Sequence, residues 1–264
     1  MGETPMPRGT GVSPVGFVQQ SQAIGPGFFR TDLTLTAMSR NLKGKRLGII
    51  HAALITTRAV QKYIDEIIPE VEVVHWVDDT IQNTNFACAP GVIPRENYAK
   101  FVQGALSQQA YGVDLILLAC STFNRAVEHA RPMIDTPMLQ IDRPMMDLAV
   151  RDGRRIGLLA TVPTTVPASE RLLRLAAQEA GKEIQVELRL CSEAFQVLKA
   201  GNPEKHNEML LQEIDALSGL VDAIVMAQVS MTALEPRLVN TRVPVYNSGR
   251  TAFNKVREIL EAQG

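Results

Sequence analysis

The amino-acid sequence carries one unit twice. KGKRLGIIHA (43–52) reads like DGRRIGLLAT (152–161), which puts Gly48 opposite Gly157. GVDLILLACST (112–122) reads like LVDAIVMAQVS (220–230), matching Asp114 to Asp222, and DTPMLQI (135–141) echoes TRVPVYN (241–247), matching Pro137 to Pro244. These three pairs are offset by 109, 108 and 107 residues, in the same order. A period of this size means two copies of one supersecondary unit, about 108 residues each.

Within each copy, strand and helix patterns alternate. RLGIIHA and IGLLA are short apolar runs suited to buried parallel strands. Val60, Tyr63, Ile64, Ile67 and Ile68 recur at helical spacing and end at Pro69, after which VEVVHWV is the next strand. In the second copy Ser169 reads as the N-cap of SERLLRLAAQEAG, which ends at Gly181. In IQVELRL, Ile184, Val186, Leu188 and Leu190 alternate as on a half-buried strand. A helix follows in each copy, one carrying Tyr98, Phe101, Val102, Ala105 and Leu106, the other opened by Asn202-Pro203. Third strands are expected over 113–119 and 221–227. The pattern predicts an α/β fold: two pseudo-symmetric, doubly wound parallel-sheet (flavodoxin-like) halves with the active site in the cleft between them. The expected organisation is an N-terminal arm over 1–44, a first half over 45–150 and a second half over 151–248. A C-terminal helix, 249–264, is expected to join the first half. The arm is poor in charge and rich in Gly and Pro. It reads either as a flexible segment or as an ordered one that packs Phe17, Phe28 and Phe29 on a neighbouring subunit.

Composition narrows the function. The 27 Lys and Arg nearly balance the 28 Asp and Glu of the 264 residues, so nothing marks a nucleic-acid or anionic-membrane partner. No apolar run reaches the length of a membrane span, and no secretory pattern opens the chain. Three scattered cysteines, Cys88, Cys120 and Cys191, argue against a disulfide framework and fit a cytoplasmic protein. The sequence lacks GxGxxG, a P-loop, HExxH, CxxC and GxSxG, so neither a cofactor nor a metal is expected.

Ligands of open α/β sheets bind beyond the carboxyl ends of the strands. Those ends carry Thr56, Thr57, Ser121, Thr122, Thr161, Thr164, Thr165, Ser230 and Thr232. Hydroxyls beside free helix amides suit a small carboxylate, and each of them also suits simple helix capping. Cys120 follows DLILLA and precedes STFNRAVEHA, a strand-to-helix junction where amides lower a thiol pKa. As a lone residue it reads equally well as a core cysteine. Cys88 and Cys191 read as structural. His75, between Val74 and Trp76, reads as a strand residue, and Asp78-Asp79 as an exposed turn.

The twofold repeat, ACST after DLILLA, the IGLLAT segment and DAIVMAQVSM together resemble the aspartate/glutamate/hydantoin racemase superfamily, over roughly residues 44–262. That group also contains maleate isomerases and arylmalonate decarboxylases. The resemblance implies cofactor-independent chemistry next to a carboxylate, with one cysteine in each half on opposite faces of the substrate. Cys120 matches the first cysteine. The second position, in a G-C-x-G-M type motif, here reads Ala227-Gln228-Val229-Ser230-Met231. Glutamine does not titrate in the useful range, so two-base racemisation loses one member. The resemblance thus implies a single-cysteine isomerase or decarboxylase in which Cys120 moves a proton or attacks as nucleophile and Gln228 donates a hydrogen bond. Ser121, Thr122, Asn124, Thr161, Thr164, Ser230 and Met231 are the implied substrate contacts, with a weaker match at Thr56 and Thr57. A racemase using a second, non-cysteine acid and a non-catalytic carboxylate-binding protein are the alternatives. Sticky faces and the arm favour a homo-oligomer.

Overall fold

The computed structural model describes residues 42–263. The arm proposed for 1–44 lies, up to residue 41, outside the described residues. The first half runs β1 (Arg46–His51), α1 (Ile55–Ile67), β2 (Glu72–Val77), α2 (Asp79–Phe86), α3 (Arg95–Tyr111), β3 (Leu115–Leu118), α4 (Ala126–Ala130), β4 (Met138–Gln140) and α5 (Arg143–Asp152). The second runs β5 (Arg155–Ala160), α6 (Val166–Glu179), β6 (Gln185–Leu190), α7 (Ser192–Lys199), α8 (Pro203–Ser218), β7 (Ala223–Met226), β8 (Val245–Asn247) and α9 (Ser248–Ala262), with a 3-10 segment over Val229–Arg237.

Each half holds a four-stranded parallel sheet, ordered β2-β1-β3-β4 and β6-β5-β7-β8. The registers repeat as the sequence does: Gly48 pairs with Ile116 in one sheet and Gly157 with Ile224 in the other. The central strands β3 and β7 are buried along their whole length, as continuous apolar runs require. The repeated aspartates have a backbone role. Asp114 Oδ2 accepts from the Arg46 N–H (2.7 Å), and Asp222 Oδ2 accepts from the N–H groups of Arg154 and Arg155 (both 2.9 Å). Each carboxylate thus ties the start of the third strand to the start of the first. At the centre of β1, a Cβ on Gly48 would sit 2.5 Å from Gln108 Oε1, so glycine lets α3 lie close on the sheet.

Three local expectations fail. Ser169 is buried inside α6, which begins at Val166, and its hydroxyl makes no hydrogen bond. Pro167 sits in the first turn, where a missing N–H costs nothing, and this pushes the helix start upstream. In the β6 segment the alternation holds for Ile184 and Val186, which pack on the core, but fails at Leu188 and Leu190, which are 40% and 43% exposed toward the carboxyl end of this edge strand. Asp78 is no mere turn: its side chain accepts from Thr80 N (2.9 Å) and caps α2.

The helices after the last strand of each sheet cross over. Met145, Met146, Ala149 and Val150 of α5 pack with β5, β7 and α6. Ala252, Phe253, Val256 and Leu260 of α9 pack with β1, β3 and α1. Gly249 permits this, since a Cβ there would fall inside the Tyr63 ring.

Candidate active site

The carboxyl ends of the two sheets meet along a seam. Thr122 and Thr165 share a hydrogen bond across it (3.0 Å), and Asn124 Nδ2 donates to the Ala168 carbonyl (3.2 Å). Flanking them, Arg171 of α6 grips Glu128 of α4 with two nitrogens, at 2.5 and 3.1 Å. The repeat supplies a counterpart: Lys62 of α1 pairs with Glu235 of the second half (3.1 Å), and Tyr63 donates to the same carboxylate (2.9 Å). Sequence reasoning gave Arg171, Glu128 and Glu235 no role, although Glu128 and Glu235 stand at the repeat offset of 107.

Cys120 lies two residues beyond β3 and is only 8% exposed, among Ile50, Ala52, Ile81 and Phe123. Its Sγ faces Gln82 Oε1 at 3.7 Å, a weak S–H donation. The amides of Thr122 and Phe123 reach the sulfur and favour the thiolate, as the junction suggested. Burial outweighs them and pushes the thiol up to about 12, with the Asp142 charge adding to the rise. The expectation of a lowered thiol pKa is therefore corrected. At neutral pH the sulfur carries its proton.

Gln228 occupies the position of Cys120 in the second copy. Its Oε1 accepts from Thr161 N (2.6 Å), Thr161 Oγ1 (3.0 Å) and Val162 N (3.1 Å). Three donors at the end of β5 thus converge on one oxygen, as they would on an oxyanion. The engaged carbonyl leaves the Gln228 amide nitrogen as its remaining donor group.

The other predicted contacts divide. Thr122 and Asn124 are buried at the seam, Ser121 and Thr161 are buried at the ends of their own sheets, and Thr164 is half-buried. Thr56 and Thr57 return their hydroxyls to the carbonyls of Ala53 and Leu54, at 2.7 and 2.8 Å, and so lock the first turn of α1. Ser230 is exposed. Met231 is fully buried with Leu159, Leu210 and Met226, in the core of the second half. Cys88 and Cys191 are half-buried free thiols.

Two features escaped the sequence. His75 is hydrogen-bonded as well as strand-borne: its Nδ1 meets His51 Nε2 (2.9 Å), and His51 Nδ1 meets Thr56 Oγ1 (2.7 Å). Burial, helped by His75, depresses His51 to about 3, and burial lowers His75 as well. Asp142, just past β4, is fully buried and forms no ion pair among the described residues. Burial raises its carboxyl to about 6. In sequence it looks like an N-cap before Arg143-Pro144, but its side chain caps nothing. Among the described residues no His, Cys, Asp and Glu cluster could hold a metal, and no helix is long and apolar enough to cross a membrane.

Known proteins fit this architecture. Solved structures that superpose include the aspartate racemase of Picrophilus torridus (TM-score 0.61, 20% identity, 81% of this chain and 95% of that one). An aspartate racemase homologue from Pyrococcus horikoshii superposes with TM-score 0.63 at 18% identity, over 82% of this chain and 99% of that one. At such identities the likeness establishes the fold. In sequence, the chain is 28% identical to a glutamate racemase of Trichodesmium erythraeum over 152 residues, 56% of this chain and only about half (52%) of that protein. It is also 28% identical to a hydantoin racemase of Rhizobium meliloti over 173 residues, 63% of this chain and 69% of that one. The profile of the Asp/Glu/Hydantoin racemase family matches residues 47–256, both sheets and the seam included, and the chain belongs to that family.

Proposed function

We propose that this protein is a cofactor-independent enzyme that acts on the carbon next to a carboxylate of a small acid, with Cys120 as its single working thiol. The observation that carries this reading is the pairing at the two equivalent strand ends: a protonated Cys120 on one side and a non-titrating Gln228 on the other. A thiol that rests as S–H is poised to give a proton before it takes one. In a decarboxylation, the bond between the substrate carbon and its carboxylate breaks and CO2 leaves. The electron pair passes onto the remaining carbonyl as an enolate. Thr122, Asn124 and the Gln228 amide nitrogen would hold the enolate oxygens, with Thr161 fixing Gln228 by its two hydrogen bonds. The Cys120 S–H then breaks as the new C–H forms. The Thr122 and Phe123 amides steady the transient thiolate until solvent returns the proton. A one-face isomerisation uses the same groups in the order a resting S–H permits: the Cys120 S–H breaks as a C–H forms at one carbon of the double bond, and the thiolate so formed takes a proton from the neighbouring carbon as the double bond moves, which restores the thiol.

A second reading, racemisation with a non-cysteine acid, draws on the names of the relatives, which are glutamate and hydantoin racemases. One experiment separates the readings. A panel of amino acids, hydantoins, substituted malonates and cis-enedioic acids is incubated in deuterated buffer and followed by NMR, CO2 release and circular dichroism. The proposal expects deuterium incorporation with CO2 release or a shifted double bond, lost in Cys120→Ser. Decay of one enantiomer's dichroism would establish the racemase instead. Saturable binding with no exchange would leave a carboxylate-binding protein.

A further inference from the structure

A set of buried oxygens beside the thiol makes no well-formed hydrogen bond. Asp142 Oδ1 and Oδ2, Ser121 Oγ and Ser248 Oγ all lack hydrogen bonds, and Asp142 and Ser248 are completely buried. Strand register brings them to Cys120. Leu118 and Gln140 are paired across β3 and β4, the Ile141 N–H donates to the Leu118 carbonyl (3.1 Å), and Cys120 and Asp142 lie two residues further on along each chain. Neighbouring strands run about 5 Å apart, a range at which two charges sense each other strongly away from water. Ser121 follows the thiol directly, and Ser248 opens α9. Both hydroxyls stand beside the carboxylate and ease its ionisation, yet neither meets it in good hydrogen-bond geometry. The adjacent cations are committed elsewhere: Arg143 to Asp147 and Glu179, Arg250 to Glu66 and Glu235. On the elements around the thiol, Gln82 is neutral, His129 packs on Tyr98 (4.6 Å between ring centres) and Glu128 is held by Arg171. That leaves Asp142 as the uncompensated charge. In the second copy its register equivalent is Gly249, so the charge exists on the Cys120 side alone.

We propose that Asp142 is a positioning residue that holds Cys120 in its proton-bearing form, through the like charge of a buried carboxylate supported by Ser121 and Ser248. The proposal deepens the single-thiol reading and rests on it for its catalytic meaning, but its test needs no substrate. In a Cys88→Ser/Cys191→Ser background Cys120 is the sole thiol. Its alkylation by iodoacetamide and its thiolate absorbance near 240 nm are followed from pH 7 to 10. Removing the charge with Asp142→Asn should move the rising limb of the thiolate profile about one pH unit lower and speed alkylation at pH 9 roughly tenfold. Asp142→Glu should restore the slow rate. Asp142→Ser, a second neutral variant, serves if Asp142→Asn does not fold. Profiles for the neutral variants that coincide with the parent, or that move to higher pH, overturn the proposal. Such a result would leave the deuterium-exchange test of Cys120 standing, and a silent substrate panel would leave the alkylation result standing.

Discussion

Cys120 and Gln228 occupy the same place in two copies of one unit and do opposite things. One keeps its proton, and the other gathers three donors on one oxygen. Gln228→Ala would strip the Thr161 and Val162 amides of their acceptor. Each lost bond costs about 1 kcal/mol, so urea denaturation should show a loss of about 2–3 kcal/mol. Two other buried groups give acid responses of opposite sign. His51 has its folded pKa depressed to about 3 from 6.5, so its contribution is complete above 6.5 and is lost as pH falls toward 3. Asp142 has its folded pKa raised to about 6 from 3.8, so the protein gains stability as pH falls through 6 and the carboxyl becomes neutral. Between pH 7 and 4.5 the two largely offset each other. Asp142→Asn should therefore lose roughly 2–3 kcal/mol over that interval, while His51→Gln should gain roughly 2 kcal/mol. Equal slopes in both variants, read from urea midpoints at the two pH values, would refute the assignment. Cys120 and Gln228 could be located from sequence because a motif and its broken copy flag them. Asp142 could not, since an Asp before Arg-Pro reads as a cap and nothing local announces its burial.

Elements were legible wherever an apolar run or a capping residue was strong. The Asn202-Pro203 start of α8 is one case, with Asn202 Oδ1 accepting from Lys205 N at 3.0 Å. They were illegible where the signal lies in three dimensions. The short helices α2 and α7 follow edge strands and bury few residues: no apolar stripe marks α2, and the stripe of α7, Ala194, Phe195, Val197 and Leu198, is only one turn long. The His51–His75 bond joins neighbouring strands, and 24 residues of sequence separate its ends. Helix packing is as exacting. Gly249→Ala would drive a methyl group into the Tyr63 ring, which stacks on Phe253 at 5.9 Å. Overpacking of this kind costs about 1–3 kcal/mol, and more where an aromatic ring must move. A drop in thermal midpoint of several degrees should register it, together with weakened near-ultraviolet dichroism from Tyr63.

Across the whole molecule the repeat governs the joint as well as the halves. Glu128 with Arg171 and Glu235 with Lys62 are the same bond made twice about a pseudo-twofold axis. Both pairs are partly exposed, so each contributes modestly and salt screens it. The combined Glu128→Gln/Glu235→Gln variant should lose about 1–2 kcal/mol in low salt and less in 1 M salt. A loss that salt does not reduce would mean that the glutamates serve packing rather than charge. The twofold architecture was readable because copies keep their spacing even where their letters drift. The exchange of α5 and α9 was readable only in part, because a linear pattern does not say which sheet a closing helix will choose.

That exchange sets an order of events in the cell. The first sheet is synthesised before the second, yet Ala252, Phe253, Val256 and Leu260, which complete its cover, belong to a helix of 15 residues that follows every strand of the second sheet. While the ribosome is still translating, Leu47, Ile49 and Val60 wait without that lid. A nascent chain arrested before residue 248 should be a client for chaperones and easily digested, and only a chain translated past α9 can close its own first half.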